Sequence, residues 1–232
     1  MAIAAIAVLL FGESEKMGGK VTSLEPQKRS SDRMNVYIDG EFAFGLAVAL
    51  AMDLYVGTEL SDEEIATLKL DDEVERARDK ALNYLSYRPR SAREVRDYLA
   101  QKEISAAAIE ETLERLRRVD LIDDEAFARY WVKNRLKFRP KGRRALSYEL
   151  RQKGVDARTI DQSLADYDEA AAIEKAAASH ARRLNHLPPD VFKRRLYGRL
   201  ARRGFSYDLI RDILDTYTFP TSNSSSEESE AY

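Results

Sequence analysis

The chain has 232 residues, 38 Lys and Arg against 40 Asp and Glu, a net charge of -2 and no cysteine. This length allows one or two hydrophobic cores, and the lack of cysteine excludes disulfides, zinc–cysteine sites and thiol catalysis. We therefore expect the chain to work in the cytoplasm.

The first segment, residues 1–17, is apolar at its start. It carries no Lys or Arg before the apolar run, is too short to cross a bilayer and lacks a small-residue cleavage pattern. We interpret it as a disordered leader or the product of an upstream start codon, and we expect no membrane attachment.

A β-hairpin is the clearest signal in the next segment. Asp39 and Gly40 tolerate the positive φ angles of a two-residue turn, and apolar strand residues stand on both sides of them. Residues 21–25 are predicted to add a third strand. Because a strand pair alone is marginally stable, this module is expected to pack on the helices that follow.

Two short helices are predicted in the same module. Residues 46–54 have a helical pattern, and Ser61 with Glu64 forms a capping box that predicts a helix to about Leu70. The N-terminal module is thereby assigned to residues 18–70.

One pattern then occurs three times at a spacing of 50 or 51 residues. An anchoring leucine is followed at fixed offsets by an apolar residue, a helix-capping residue, an isoleucine and a leucine. Ser or Asp suits an N-cap, so each copy predicts two helices joined by a tight corner. The three series are Leu99, Ile104, Ser105, Ile109 and Leu113; Leu150, Val155, Asp156, Ile160 and Leu164; and Leu200, Phe205, Ser206, Ile210 and Leu214.

A further helix precedes each pair, because a proline marks a break at the same place in every copy. These prolines are Pro89, Pro140 and Pro188. The predicted helices are 72–87, 91–103 and 105–117; 123–138, 141–153 and 156–166; and 168–185, 190–203 and 206–217.

The sequence therefore predicts a mainly α fold of three tandem three-helix units in an elongated array, preceded by the small β-hairpin and helix module. The units are residues 72–117, 123–166 and 168–217. Gly154 and Gly204 suit the left-handed residue at each corner, whereas Glu103 makes the first corner less favourable. The Ser/Glu-rich tail, residues 218–232, is expected to be disordered.

The charges are segregated along the chain. Residues 133–153 hold nine basic residues against one acidic residue, and residues 182–203 hold eight against one, whereas residues 59–75 hold eight acidic residues against one lysine. A single basic run is usually a solvated face, but two runs at equivalent repeat positions favour contact with nucleic acid or an acidic protein. The candidate binding residues are Arg139, Lys141, Arg143, Arg144, Arg151, Lys153, Lys193, Arg194, Arg195, Arg199, Arg202 and Arg203.

Two further features have competing interpretations. The aromatics near the basic runs could stack on bases, but their helical spacing beside leucines is more typical of core residues. These aromatics are Tyr130, Trp131, Tyr148 and Tyr197. The acidic group Asp123, Asp124 and Glu125 could suggest a metal site, but it stands where a helix begins and capping explains it better.

Catalytic motifs are missing from the sequence. The two histidines, His180 and His186, are six residues apart and separated by a predicted helix end, which is the wrong spacing for one helical face. There is no glycine-rich phosphate loop, nucleophile elbow or zinc-peptidase motif. We expect no enzymatic activity, no cofactor and no metal.

Several strings of the chain occur together and in order, as they do in one known family. They are Arg90-Ser91-Ala92-Arg93-Glu94-Val95; Leu121-Ile122-Asp123-Asp124-Glu125-Ala126-Phe127-Ala128; Trp131; and Gly142-Arg143-Arg144 through Glu149-Leu150-Arg151-Gln152-Lys153-Gly154. Over about residues 72–215 the sequence resembles the bacterial recombination regulator RecX family.

The resemblance implies a non-enzymatic protein of tandem three-helix units that acts in DNA recombination, DNA repair and the SOS response. Such a protein binds the RecA filament on single-stranded DNA and inhibits its ATPase, strand-exchange and coprotease activities. One alternative is a helical-repeat protein that binds nucleic acid and acts by competing for DNA, and another is a helical adaptor for an unrelated protein partner. The expected partners are RecA, single-stranded DNA and also double-stranded DNA, and the chain is expected to be a monomer.

Overall fold

The structure is a computed structural model that describes residues 18–28 and 30–217. The predicted leader and tail lie outside these residues. The described residues divide between Ile122 and Asp123 into two compact units, here called the N-terminal and C-terminal units. The fold class is confirmed as mainly helical, with three consecutive three-helix domains after a small antiparallel β module.

The N-terminal unit begins with a four-stranded antiparallel sheet in the order β3-β2-β1-β4. The strands are β1 (Gly18–Gln27), β2 (Ser30–Ile38), β3 (Glu41–Ala47) and β4 (Glu59–Ser61). The predicted hairpin and third strand are confirmed, and Asp39 and Gly40 have φ angles of 50° and 88° at the turn. The three-residue β4 was not predicted.

The helix predicted over residues 46–54 is wrong. Strand β3 continues to Ala47, and only a single 3-10 turn, Val48–Leu50, follows it. Phe44 and Leu46 alternate into the core of the sheet, and Leu46 is fully buried. The two-residue period of a buried strand face therefore decides the structure of this segment.

Helix α1 (Asp62–Ser86) begins at the predicted capping box of Ser61 and Glu64. The helix was predicted to end near Leu70, and that prediction is wrong: no Gly or Pro interrupts it there. The boundary predicted between residues 70 and 72 therefore falls inside α1. The buried carboxylate of Asp72 explains why the helix continues. It accepts hydrogen bonds from Arg33 Nη2 at 2.8 Å and from the Ala47 backbone N–H at 2.9 Å, which joins α1 to the sheet.

The first three-helix domain consists of the second half of α1 with α2 (Ala92–Ala100) and α3 (Ala106–Arg118). Leu99 is fully buried in its core. Glu103 has a φ of 60° at the corner between α2 and α3, in the left-handed region that favours glycine. The unfavourable first corner is therefore confirmed.

The C-terminal unit contains six helices within residues 123–217 and one shared core, to which both three-helix domains contribute. Leu150 and Leu200 are fully buried in this core, as Leu99 is in the first domain. The N-caps predicted at Ser105, Asp156 and Ser206 are confirmed. The helices are α4 (Asp124–Phe138), α5 (Arg143–Gln152), α6 (Ala157–Leu164), α7 (Glu169–Ala181), α8 (Pro189–Ala201) and α9 (Tyr207–Asp215).

The backbones of the second and third domains touch at the start of α5. The Gly142 N–H donates to the Arg203 carbonyl at 2.9 Å. A Cβ atom at Gly142 would lie 2.1 Å from the Gly204 carbonyl oxygen, so glycine is required for this approach. Gly204 also has the positive φ predicted for its corner, 81°. No helix within residues 18–217 is both long and apolar enough to cross a membrane.

Candidate nucleic-acid interface

The twelve predicted cations all lie in the C-terminal unit and divide into two groups. Four of them contact other groups of the protein: Lys141, Arg143, Lys153 and Arg203. The other eight make no ion pair with any residue that the structure describes. These eight, here called the free cations, are Arg139, Arg144, Arg151, Lys193, Arg194, Arg195, Arg199 and Arg202. All are exposed except Lys193 and Arg199, which are half-buried.

Arg143 has a structural role that the sequence did not reveal. Its guanidinium donates to the backbone carbonyls of Leu164, Ala165 and Tyr167 and so satisfies the C-terminal end of α6. Glu169 accepts from the Arg143 backbone N–H at 2.9 Å and caps the start of α5. The Arg143 side chain is 43% exposed, and its role in binding stays a prediction.

Arg203 and Tyr167 also join the two domains of this unit. Arg203 donates to the Pro140 carbonyl at 2.9 Å, and the Tyr167 hydroxyl donates to the Lys141 carbonyl at 2.6 Å. Burial raises the pKa of Tyr167 to about 12, so this hydroxyl keeps its proton. Burial, and to a smaller extent the charge of Arg139, lowers the pKa of Arg203.

Glu149 is the acidic centre of the second domain. It accepts hydrogen bonds from Trp131 Nε1 at 2.9 Å, from Arg135 Nε at 2.8 Å and from Lys141 Nζ. Burial alone would raise the pKa of Glu149. The three hydrogen bonds together lower it by more than burial raises it, so the net shift is downward. Arg135, which also stacks on Trp131 at 4.3 Å, was absent from the predicted set. Its spacing of four residues from Trp131 could have indicated the contact.

The three-helix repeat shows why cations are free in the C-terminal unit. In the first domain, Arg93 lies 3.8 Å from Asp97 one helical turn later. The equivalent of Arg93 in the second domain is Arg144, and Tyr148 stands where Asp97 would be. In the third domain the corresponding residues are Arg194 and Gly198. Because the acid is lost from both later copies, their arginines remain unpaired among the described residues.

A groove of about 680 Å³ lies between α5 and the corner that leads into α9. We call it the tyrosine groove, since Tyr148 and Tyr207 line it and are 63% and 62% exposed. Arg144 and Arg202 line the same groove. Tyr197 packs edge-on against Tyr207 with ring centroids 6.3 Å apart.

The aromatic residues near the basic runs are only partly core residues. The core interpretation is wrong for Tyr148, and Tyr197 is 39% exposed. Tyr130 and Trp131 are half-buried. The ring of Trp131 makes contacts within the protein, because Arg135 and Lys153 both lie over it.

The acidic group at Asp123 and the two histidines were the residues considered for metal binding or catalysis. The Asp123 carboxylate accepts from the backbone N–H groups of Glu125 and Ala126, which confirms its capping role. Burial, with the positive charges of nearby arginines, lowers the pKa of His180. His186 is exposed. No group of three His, Asp or Glu side chains among residues 18–28 and 30–217 could hold a metal ion.

Four family models match consecutive parts of the chain. The model of the regulatory protein RecX N-terminal domain matches residues 19–61. The models of the first, second and third RecX three-helix domains match residues 77–116, 123–164 and 166–214.

Individual relatives agree with these matches. The chain is 33% identical over 199 residues to the regulatory protein RecX of Bacillus pumilus, covering 84% of this chain and 76% of the relative. It is 32% identical over 213 residues to that of Bacillus subtilis, covering 90% and 81%. A crystal structure of regulatory protein RecX superimposes with a TM-score of 0.65 at 30% identity, covering 85% of this chain and 99% of that one. The crystal structure of RecX from Lactobacillus salivarius gives 0.54 at 29% identity, covering 63% and 97%.

Proposed function

The chain belongs to the RecX family of regulatory proteins, and we propose that it is a non-enzymatic regulator of the RecA recombinase. In this proposal it binds the RecA filament on single-stranded DNA and inhibits ATP hydrolysis, strand exchange and coprotease activity. Its place of action is the cytoplasm, its effects fall on DNA recombination, DNA repair and the SOS response, and it acts as a monomer.

The free cations of the C-terminal unit are the observation that carries this proposal. Most arginines of the N-terminal unit are held in ion pairs, such as Arg96 with Glu110 at 2.7 Å and Arg115 with Glu111 at 2.7 Å. The eight free cations have no such partner among the described residues. An unpaired guanidinium loses no internal salt bridge when it meets a phosphate or a carboxylate.

A RecA filament on DNA offers both kinds of anion. Phosphates give affinity without sequence preference, and acidic patches on the recombinase add complementary charge. The free cations are distributed over α5, α8 and the segments next to them. This spread favours several modest contacts made together over one deep pocket.

The test is a titration of RecA ATPase activity on single-stranded DNA with the full chain. Inhibition at ratios well below one chain per recombinase supports capping of filament ends, and inhibition only near saturation supports binding along the filament. Either result supports the proposal. No inhibition at any ratio would contradict it.

The same titration with excess bare single-stranded DNA separates regulation of the filament from competition for DNA. If the chain acts on the filament, DNA added after filament assembly should relieve the inhibition only weakly. If the chain acts by sequestering DNA, the inhibition should disappear once the concentration of added DNA exceeds that of the chain. That result would support the alternative function, competition for DNA.

A further inference from the structure

Two strongly exposed tyrosines of the C-terminal unit line the same groove. Tyr148 and Tyr207 each expose more than three-fifths of their surface. Neither is explained by the repeat, since the residues equivalent to Tyr148 are Asp97 and Gly198, and those equivalent to Tyr207 are Ala106 and Ala157. A large apolar ring in water that builds no core marks a contact surface when others lie beside it.

The groove is fixed in shape by the joined domains. Gly204 and the buried Phe205 line it, and the Gly142 N–H donates to the carbonyl of Arg203, the residue before Gly204. Tyr207 is held from the side by the ring of Tyr197. The rings of Tyr148 and Tyr207 are therefore presented from two helices whose starts are locked together, which limits the entropy lost on binding.

The charge of the groove is positive. Arg144 and Arg202 line it and make no ion pair with any described residue. The carboxylate in the groove, Glu169, already accepts from the Arg143 backbone and lies 3.9 Å from the Arg143 guanidinium. The groove therefore presents two free cations beside two exposed aromatic rings.

From this arrangement we propose that the tyrosine groove is a binding site for single-stranded nucleic acid. Bases stack on Tyr148 and Tyr207, and the phosphates next to them contact Arg144 and Arg202. A duplex keeps its base faces inside its own stack and cannot use the rings, and an acidic peptide would use only the arginines. The inference rests on the proposed function only in that the chain contacts DNA.

The test compares the affinity of the full chain for a fluorescent oligothymidylate with its affinity for a duplex of mixed sequence, by anisotropy at one salt concentration. Tyr148→Ala with Tyr207→Ala should weaken single-strand binding by about tenfold or more. Duplex binding should change by less than about twofold, because the phosphate contacts remain. The variant Tyr148→Phe with Tyr207→Phe keeps both rings and should bind the single strand like the parent.

Tyr55→Ala is the matched control, since Tyr55 is 69% exposed but belongs to the N-terminal unit. It should leave both affinities unchanged. Equal losses for single strand and duplex in the alanine variant, or no loss for either, would overturn the inference. A second measurement needs no variant: irradiation of the parent with an oligonucleotide containing 5-iodouracil should crosslink Tyr148 or Tyr207, and crosslinks only at other residues would count against the site.

The failure of this inference and that of the proposed function give different results. If the parent inhibits RecA but the alanine variant binds oligothymidylate normally, only the groove assignment is wrong. If the parent does not inhibit RecA while the variant loses single-strand affinity, the groove assignment stands. Loss of binding to DNA-free RecA with normal oligonucleotide binding would instead assign the groove to a protein partner.

Discussion

Glu149 organises the basic surface of the second domain. Its carboxylate is 18% exposed and holds Trp131, Arg135 and Lys141 around one point of α5. An acidic residue within a basic run would ordinarily weaken binding of an anion by like-charge repulsion. Here the carboxylate is neutralised by Arg135 and Lys141, so Arg144 and Arg151 on the same helix face solvent without an acid in contact.

Glu149→Gln should destabilise the C-terminal unit by about 2 kcal/mol, because it leaves Arg135 and Lys141 without their carboxylate. The hydrogen bonds from Lys141, Arg135 and Trp131 outweigh burial and hold the pKa of Glu149 below its ordinary value. Its stabilising contribution is therefore complete above that value and is lost as the pH falls through the folded pKa. In urea unfolding, the difference in stability between parent and variant should be largest at neutral pH and should shrink as the pH is lowered through the acid range.

Glu125→Gln is the control for this comparison. Glu125 and its partner Arg129 are both 62% exposed, so the substitution should cost no more than about 0.5 kcal/mol. Trp131, the single tryptophan of the chain, reports unfolding by its fluorescence. A loss of stability in Glu149→Gln as small as in the control would show that the network contributes little.

At the scale of secondary-structure elements, the close contact between the start of α5 and the corner before α9 determines the groove. Two glycines allow these segments to touch, and side chains reinforce the contact from both directions, through Arg203 to Pro140 and Tyr167 to Lys141. The second and third domains consequently fold around one core. We expect them to unfold together.

Two glycine-to-alanine substitutions in the C-terminal unit should change the free energy of unfolding in opposite directions. Gly142→Ala tests the contact, and Gly198→Ala is the control. Gly142 has an ordinary φ of -70°, so alanine causes no backbone strain there, but its Cβ would overlap the Gly204 carbonyl. Gly142→Ala should destabilise the unit by about 1–3 kcal/mol. At Gly198, inside α8, the nearest atom to a new Cβ is the flexible end of Arg202 at 3.5 Å, and Gly198→Ala should stabilise by about 0.5–1 kcal/mol.

Thermal unfolding of both variants beside the parent measures these effects. A midpoint that rises for Gly198→Ala and falls for Gly142→Ala supports the contact. If Gly142→Ala unfolds like the parent, the backbones of the two domains do not approach as the structure has them.

For the whole molecule, the repeat register predicted most helix boundaries to within a few residues because capping residues and prolines act locally. Ser105, Asp156 and Ser206 cap the helices that they were predicted to cap. Long-range contacts have no fixed spacing and were missed. Examples are the hydrogen bonds of Asp72 to the sheet and the contacts of Arg143 with the end of α6.

The candidate site was predicted as a set of charges, not as a surface. Basic residues on outward helix positions can be counted in a sequence, but whether each has an acidic partner depends on the fold. The tyrosine groove could not be predicted, since Tyr148 and Tyr207 belong to different domains and lie in one groove only when α5 meets the corner before α9.

In the proposed function, the free cations of the C-terminal unit make the contact through which the chain inhibits RecA. The most direct test is the half-inhibiting concentration of the variant Arg144→Glu, Arg151→Glu, Arg194→Glu in the RecA ATPase assay on single-stranded DNA. The control reverses three paired arginines of the N-terminal unit, Arg78, Arg93 and Arg118, with the same change in net charge. We expect the half-inhibiting concentration to rise about tenfold or more for the first variant and less than about twofold for the control. Equal half-inhibiting concentrations for the parent and both variants, or equal rises in both variants, would contradict it.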